Sequence, residues 1–169
     1  MSLILAGVVS LLLLATDRIT KYLVATGMET EDIITIKPIK RFIEIYYIEN
    51  DGAAWGMLGG KTWVLVAITA VIMIALVYLM IKYAKKNKIF FWSASLIISG
   101  GIGNMIDRIF NQGYVTDFLH FTFIDFPVFN VADITVCIGA GLLILYFVID
   151  TIKEQKEKSQ KQGIEEGQE

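Results

Sequence analysis

Two aspartates are the residues of this sequence whose type and setting best suit chemistry. Asp117 lies in "VTDF", and Asp133 follows sixteen residues later in "FNVAD", where a long apolar stretch begins. No lysine or arginine follows Asp117 until Lys153, so neither carboxylate has a local basic partner. A carboxylate within a membrane span costs about 2.5 to 3.5 kcal/mol even on permissive scales, so such a residue predicts function.

A pair of carboxylates can hydrolyse an amide. Two acids held close together cannot both ionise cheaply, so they share one proton near neutral pH. The ionised acid takes a proton from water while the protonated acid donates to the scissile carbonyl. Spacing alone does not bring Asp117 and Asp133 together, because Pro127 and a loop lie between them. The prediction is a loop end and a helix start that fold toward each other.

Further polar side chains lie in or beside the apolar stretches at a similar depth. They are Asp17, Arg18, Lys21, Asn104, Asp107, Arg108 and Asn130. Members three or four residues apart share a helix face and can point into one cavity. Simpler roles stay open, because Asp17 with Lys21 also fits a helix-end ion pair and Asn130 fits a helix cap. The "GGIGN" segment at 100–104 predicts close helix packing rather than a nucleotide loop.

Composition and hydropathy indicate a membrane protein with one domain. The 169 residues are 55% hydrophobic, which is high for a soluble chain. Four stretches are long and apolar enough to cross a bilayer, at residues 3–25, 62–81, 89–106 and 129–149. The first stretch is interpreted as a helix that stays in the mature protein rather than as a cleaved secretory signal. The predicted fold is an all-α membrane protein with four transmembrane helices, a domain at 1–152 with an outer loop at 26–61, and a charged tail at 153–169.

The distribution of lysines predicts the orientation. Two segments are rich in lysine, namely the loop with Lys82, Lys85, Lys86 and Lys88 and the tail with Lys153, Lys156, Lys158 and Lys161. By the positive-inside rule both segments are cytoplasmic, which puts both termini inside and the two aspartates at the outer face. The tail is expected to be solvated and frayed.

The outer loop carries its own pattern. Residues 41–58 begin with β-branched and aromatic residues up to Ile48, followed by an Asp51-Gly52 turn signal. The pattern predicts a small extracytoplasmic β element and then a short amphipathic helix on the membrane surface. Trp55 and one of Tyr46 and Tyr47 suit the interfacial aromatic belt.

Other kinds of site have little support in the sequence. A single histidine, His120, and a single cysteine, Cys137, give no metal-ligand spacing and no disulfide framework, so no metal or cofactor is expected. Cys137 is interpreted as a small buried hydrophobic residue. The formal charge of −2 gives no indication of nucleic-acid binding.

Five sequence blocks together carry a family resemblance. They are "DRITK" (17–21), "NDGAAWG" (50–56), "GGIGNMIDR" (100–108), "VTDF" (115–118) and "FNVAD" (129–133). In their order and spacing they resemble the bacterial lipoprotein signal peptidases, also called signal peptidase II. The resemblance implies an aspartic endopeptidase of the bacterial plasma membrane. Its substrates would be diacylglyceryl-modified prolipoproteins, cut just before the lipidated cysteine to release the signal peptide.

The resemblance also assigns roles to residues. It implies that Asp117 and Asp133 are catalytic. Residues implied to bind substrate or a globomycin-type inhibitor are Asp17, Lys21, Asn50, Gly52, Asn104, Asp107, Arg108 and Asn130. One departure is Trp55-Gly56, where a Phe-Ser pair is common in the family. The expected partners are prolipoproteins and membrane lipid, with no nucleic acid and no cofactor, and the expected state is a monomer.

Three alternatives differ from this interpretation in what they predict. A small ion-coupled transporter subunit would use acids as a cation relay and would need them at several depths. A structural scaffold would leave the repeated Asn-x-x-Asp spacing unexplained. A different intramembrane aspartyl protease would prefer substrates without lipid.

Overall fold

The computed structural model describes residues 3–35, 39, 41–83 and 87–166. Within these residues the chain forms four α-helices and a three-stranded sheet. In chain order the elements are α1 (Leu3–Gly27), β1 (Ile33–Ile34), β2 (Ile43–Asn50), α2 (Thr62–Tyr83), α3 (Lys88–Phe110), β3 (Val115–Phe121) and α4 (Val131–Glu166).

Three helices are long and apolar enough to cross a membrane. They are Thr62–Tyr83, Lys88–Phe110 and the Val131–Gln160 part of α4. The 25 residues of α1 would reach about 37 Å at about 1.5 Å per residue, but the second half of this helix carries Asp17, Arg18 and Lys21. The mostly helical membrane architecture predicted from the sequence is therefore confirmed at this coarser level.

Small residues allow α3 to pack closely on its neighbours, as the "GGIGN" segment predicted. A Cβ at Gly100 would overlap the backbone of Ala132 in α4, and one at Gly139 would lie 2.9 Å from the backbone of Ser93. A Cβ at Gly103 would lie 2.6 Å from Asp17 Oδ2 in α1. These contacts bring α1, α3 and α4 together at the depth of the polar residues.

The sheet is antiparallel in the order β1-β2-β3. The predicted strand before residue 50 is confirmed as β2, and it pairs with β3 so that Ile48 faces Asp117 and Asn50 faces Val115. The interpretation of Asp117 as a loop residue is wrong, since it lies in the buried part of β3. The β-branched and aromatic content of β3 favours a strand, and β2 supplies its hydrogen-bonding partner.

The segment after β2 differs from the predicted amphipathic helix. It contains a single 3₁₀ turn, Ala54–Gly56, in which Trp55 has a φ of 55°. Leu58 and Gly60 also have positive φ values, of 60° and 72°. A helix cannot continue through left-handed residues, so the segment folds as successive turns. The Trp55 side chain is 71% exposed, which agrees with an interfacial position.

The charged tail is helical rather than frayed. Helix α4 continues through Glu166, and the side chains at 151–160 are exposed. Lys85 and Lys86, which contributed to the predicted orientation, lie outside the described residues, as do residues 167–169.

Candidate active site

Asp117 lies on β3 with a hydrogen-bond donor on each carboxylate oxygen. The Asn50 side-chain amide donates to Oδ2 at 2.8 Å, and the Asn130 amide donates to Oδ1 at 2.5 Å. The antiparallel register puts Asn50, at the end of β2, beside Asp117. Only 2% of Asp117 is exposed.

Asp133 lies in the first turn of α4, where Asn130 caps the helix. The Asp133 backbone N–H donates to Asn130 Oδ1 at 3.0 Å, and the Asn130 backbone N–H donates to Asp133 Oδ2 at 3.0 Å. This reciprocal pair is a capping box. Asn104 of α3 donates its amide to Asp133 Oδ1 at 2.7 Å. The predicted capping role of Asn130 is therefore confirmed.

The two acids are joined through side-chain amides. Besides Asp117, Asn130 Nδ2 donates to Asn104 Oδ1 at 3.0 Å, and Asn104 in turn donates to Asp133. Two aspartates that are sixteen residues apart, one on a strand and one at a helix start, thus belong to one hydrogen-bonded cluster.

Neighbouring donors fix which end of each amide faces the acids. The backbone N–H of Gly52 donates to Asn50 Oδ1, and that of Asp133 donates to Asn130 Oδ1. The Lys21 ammonium donates to Asn104 Oδ1 at 2.8 Å. These groups can only donate, so each amide oxygen faces them and each amide nitrogen points toward a carboxylate.

The setting of Asp117 favours its protonated form. Burial and, to a smaller extent, the charge of Asp133 raise the pKa of Asp117 from 3.8 to about 7. The amide hydrogen bonds from Asn50 and Asn130 oppose this rise, so desolvation is the dominant cause. At pH values up to about 7, Asp117 therefore keeps its proton.

Both aspartates line a cavity of about 420 Å³ whose walls are mostly apolar. Trp55 covers part of it and contacts Phe126 edge to face at 5.9 Å between ring centroids. The remaining apolar lining comes from Ala53, Val115, Phe121, Pro127, Val128, Phe129, Ile134, Val136, Cys137 and Ile138. Such a pocket suits an apolar ligand with a polar group to be placed at the acids.

Four of the eight residues predicted to bind substrate line this cavity with the aspartates. These four are Asn50, Gly52, Asn104 and Arg108. Arg108 Nη2 donates to the carbonyl oxygen of Gly52 at 2.8 Å, so α3 is tied to the segment after β2. A Cβ at Gly52 would lie 2.9 Å from the Met57 carbonyl oxygen, so the turn requires a residue without a side chain there.

The other four predicted residues lie behind the cavity. Asn130 is fully buried between the two acids. Asp17, Lys21 and Asp107 form a buried ion cluster with Lys21 Nζ 3.2 Å from Asp17 Oδ2 and 2.9 Å from Asp107 Oδ2. The simpler interpretation of Asp17 with Lys21 as an ion pair is thus confirmed, although α1 continues to Gly27 and the pair is not at the helix end. Arg18, which was not among the predicted site residues, also pairs with Asp107, at 2.5 Å.

Two features of the cavity were not predicted correctly from the sequence. Cys137 is exposed and lines the cavity, not buried as interpreted, because this face of α4 turns away from α3. Phe126 was not singled out, and its spacing from Trp55 carries no signal in the sequence. Within the described residues, no group of three or more His, Cys, Asp or Glu side chains could hold a metal ion.

Comparison with known proteins identifies the family. The family described as "Signal peptidase (SPase) II" matches residues 9–149, which is most of the chain. The chain belongs to the signal peptidase II family. It is thus a protease of the aspartic type, as the sequence blocks indicated, and neither a transporter subunit nor a scaffold.

Similar proteins cover nearly the same length. The lipoprotein signal peptidase of Halalkalibacterium halodurans is 40% identical, over 90% of this chain and 97% of its own. That of Bacillus subtilis is 36% identical, over 89% and 97%. A bacterial membrane enzyme structure obtained by the in meso method at 2.3 Å resolution is 38% identical, with a TM-score of 0.81 over 86% of this chain and 88% of that one.

Proposed function

We propose that Asp117 and Asp133 are the catalytic pair of an endopeptidase that removes signal peptides from diacylglyceryl-modified prolipoproteins by cutting before the lipidated cysteine. The observation that carries this proposal is the position of Asn130. Its side chain holds Asp117, and its backbone N–H and side-chain oxygen engage Asp133. The two acids share both this residue and the wall of one cavity.

Their settings suit different roles in catalysis. Asp117, with its pKa raised to about 7, is the acid that donates a proton to the scissile carbonyl. Asp133 receives two N–H donors at a helix N-terminus, which suits a carboxylate that takes a proton from the attacking water. Collapse of the tetrahedral intermediate returns a proton to the leaving amine, so the pair needs no cofactor.

The substrate would lie in the cavity beside the acids. The apolar wall suits the lipid-linked residue and the signal peptide, and Asn50, Asn104 and Arg108 offer polar contacts near the scissile bond. A globomycin-type inhibitor would occupy the same space. Because one chain supplies both acids and the whole lining, a monomer is sufficient.

In the membrane, α1 would act as a fourth span with the site at the extracytoplasmic face and both termini in the cytoplasm. Charges in α1 do not prevent this, because Asp17 and Lys21 are 1% exposed and pair inside the bundle. Lys82 and Lys88 lie at the helix ends opposite to the sheet, which agrees with the positive-inside rule. Apolar side chains on α2 are largely exposed and suit contact with lipid.

Cleavage of a diacylglyceryl prolipoprotein peptide by purified variants tests the pair. Asp117→Asn and Asp133→Asn should each lower kcat by about 10⁴-fold or more while the protein stays folded and binds the inhibitor. Asp125→Asn, which changes an exposed loop carboxylate, is the matched control and should cleave normally. Normal cleavage by either site variant would refute the proposal. Equal cleavage of the peptide without lipid would instead indicate a protease of different specificity.

A further inference from the structure

The ammonium group of Lys21 contacts three side chains in the interior of the protein. It lies 2.8 Å from Asn104 Oδ1, 2.9 Å from Asp107 Oδ2 and 3.2 Å from Asp17 Oδ2. An ammonium group has three N–H donors, so these partners can use all of them. The Lys21 side chain is 1% exposed, so its ammonium group is held inside the protein beside α3.

Two of these partners hold the backbone next to the catalytic acids. Asp17 Oδ1 accepts the backbone N–H of Ala132, the residue before Asp133, at 2.9 Å. Asp107 Oδ2 accepts the backbone N–H of Thr116, the residue before Asp117, at 3.3 Å. The carboxylates paired with one ammonium thus anchor both segments that carry the pair.

The third partner connects Lys21 to the acids through amide groups. Because the ammonium can only donate, Asn104 must turn its oxygen toward Lys21 and its nitrogen toward Asp133. The same oxygen accepts the Asn130 amide, which also holds Asp117. Without the ammonium, the Asn104 oxygen would keep the Asn130 amide but lose its charged donor, so the Asn104 amide would be held less firmly beside Asp133.

Lys21 does not line the cavity that contains the acids. It faces a second, polar cavity of about 490 Å³ together with Arg18, Tyr47 and Glu49. A substrate seated against the two aspartates would therefore meet Asn104 but not the ammonium group behind it.

We propose that Lys21 is a positioning residue that sets the separation and hydrogen bonding of both catalytic aspartates without contacting substrate. This inference rests on the proposed roles of Asp117 and Asp133. It differs from the role implied by the family resemblance, in which Lys21 binds substrate or inhibitor, and the two roles predict different kinetics. Loss of a positioning residue lowers kcat at an unchanged KM, whereas loss of a binding residue raises KM.

The first test compares the double variant Lys21→Met/Asp17→Asn with its reference, the single variant Asp17→Asn. The double variant loses one positive and one negative charge, so the net charge of the cluster equals that of the wild type, and asparagine can still accept the Ala132 N–H through its oxygen. The methionine variant should show kcat lowered by about 100-fold at a KM within about threefold of its reference, since small misplacements of reacting groups cost that much. Lys88→Met, at an exposed position at the start of α3, is the control and should be unchanged.

The pH profile of the same variant separates positioning from general loss of structure. Because Asn104 donates to Asp133 and Asn130 donates to Asp117, looser positioning of these amides should change the pH profile of kcat as well as its maximum. Thermal unfolding of each variant reports whether it is folded. If the methionine variant unfolds, Lys21→Arg takes its place, because the guanidinium keeps both buried carboxylates paired. Lys21→Arg should lower kcat by about tenfold, because its planar donors do not match those of a tetrahedral ammonium.

Several outcomes would overturn the inference. These are a folded variant with kcat within threefold of its reference, a KM that rises as much as kcat falls, or an unchanged pH profile of kcat. If Asp117→Asn and Asp133→Asn are inactive while the Lys21 variants turn over normally, only this inference fails. If the aspartate variants remain active, the proposed function fails first.

Discussion

Replacing Asp117 with asparagine should change how the stability of the protein depends on pH. The pKa of Asp117 is 3.8 in an unfolded chain and about 7 in the folded protein. Between these values the unfolded carboxyl group is ionised while the folded one still holds its proton. The free energy of unfolding therefore falls as pH rises from about 4 to about 7, and the contribution of the protonated acid is lost above that range.

The size of the effect follows from the two pKa values. A rise from 3.8 to about 7, at about 1.4 kcal/mol per pKa unit, corresponds to about 4 kcal/mol. Asparagine cannot ionise, so the Asp117→Asn variant should lack about this much of the decline. Its own amide must meet donors from Asn50 and Asn130, which lowers stability at every pH but leaves the pH dependence unaffected.

The assay is denaturant unfolding in detergent micelles at several values between about pH 4 and about pH 8. The difference in unfolding free energy between wild type and variant should change by about 4 kcal/mol across this range. Asp125→Asn, at an exposed loop position, should follow the wild-type curve. A variant at position 117 that keeps the wild-type pH dependence would show that burial of this acid does not hold the proton.

Three further predictions concern packing, the cavity and the turn above it. Gly103→Ala should lower the free energy of unfolding by about 1 to 3 kcal/mol, because its Cβ would lie 2.6 Å from Asp17 Oδ2. Gly141→Ala, with nothing within 4 Å of its Cβ, should be neutral or slightly stabilising in the same thermal unfolding assay, and equal losses would contradict the packing account. A maleimide on Cys137 should block peptidase activity, since the adduct would occupy part of the 420 Å³ cavity, and bound inhibitor should slow the labelling measured by mass spectrometry. Full activity after complete labelling would mean that substrate does not pass this wall. Trp55→Gly should raise thermal stability, because glycine adopts the left-handed φ of 55° without strain. The same variant should raise KM in the peptide assay, because the contact between Trp55 and Phe126 is lost. An unchanged KM would mean that Trp55 takes no part in substrate binding.

The main elements of the fold could be predicted from hydropathy because long apolar stretches report directly on helices suited to a membrane. Pairing between strands is different, since β3 depends on a partner more than sixty residues earlier in the chain. Local sequence therefore indicated a loop at Asp117. The turn around Trp55 was also missed, because left-handed φ values at non-glycine residues leave little trace in composition.

In the site, too, features set by neighbouring residues could be predicted, whereas features set by contacts between distant segments could not. Helix spacing predicted that Asn130 and Asp133 share a face, and the capping box confirms this. The chain alone could not separate residues that line the cavity from residues behind it. The family resemblance implied a binding role for Lys21, whereas the structure places it in a buried ion cluster with Asp17 and Asp107.

The pH dependence of kcat/KM on a diacylglyceryl prolipoprotein peptide tests most directly whether the two acids act as a proton-sharing pair. Two limbs are expected from the pair as a unit, with activity falling above about pH 7 as Asp117 loses its proton and falling in acid where the pair holds two protons. A profile that stays flat from about pH 4 to about pH 9 would contradict a shared proton between Asp117 and Asp133.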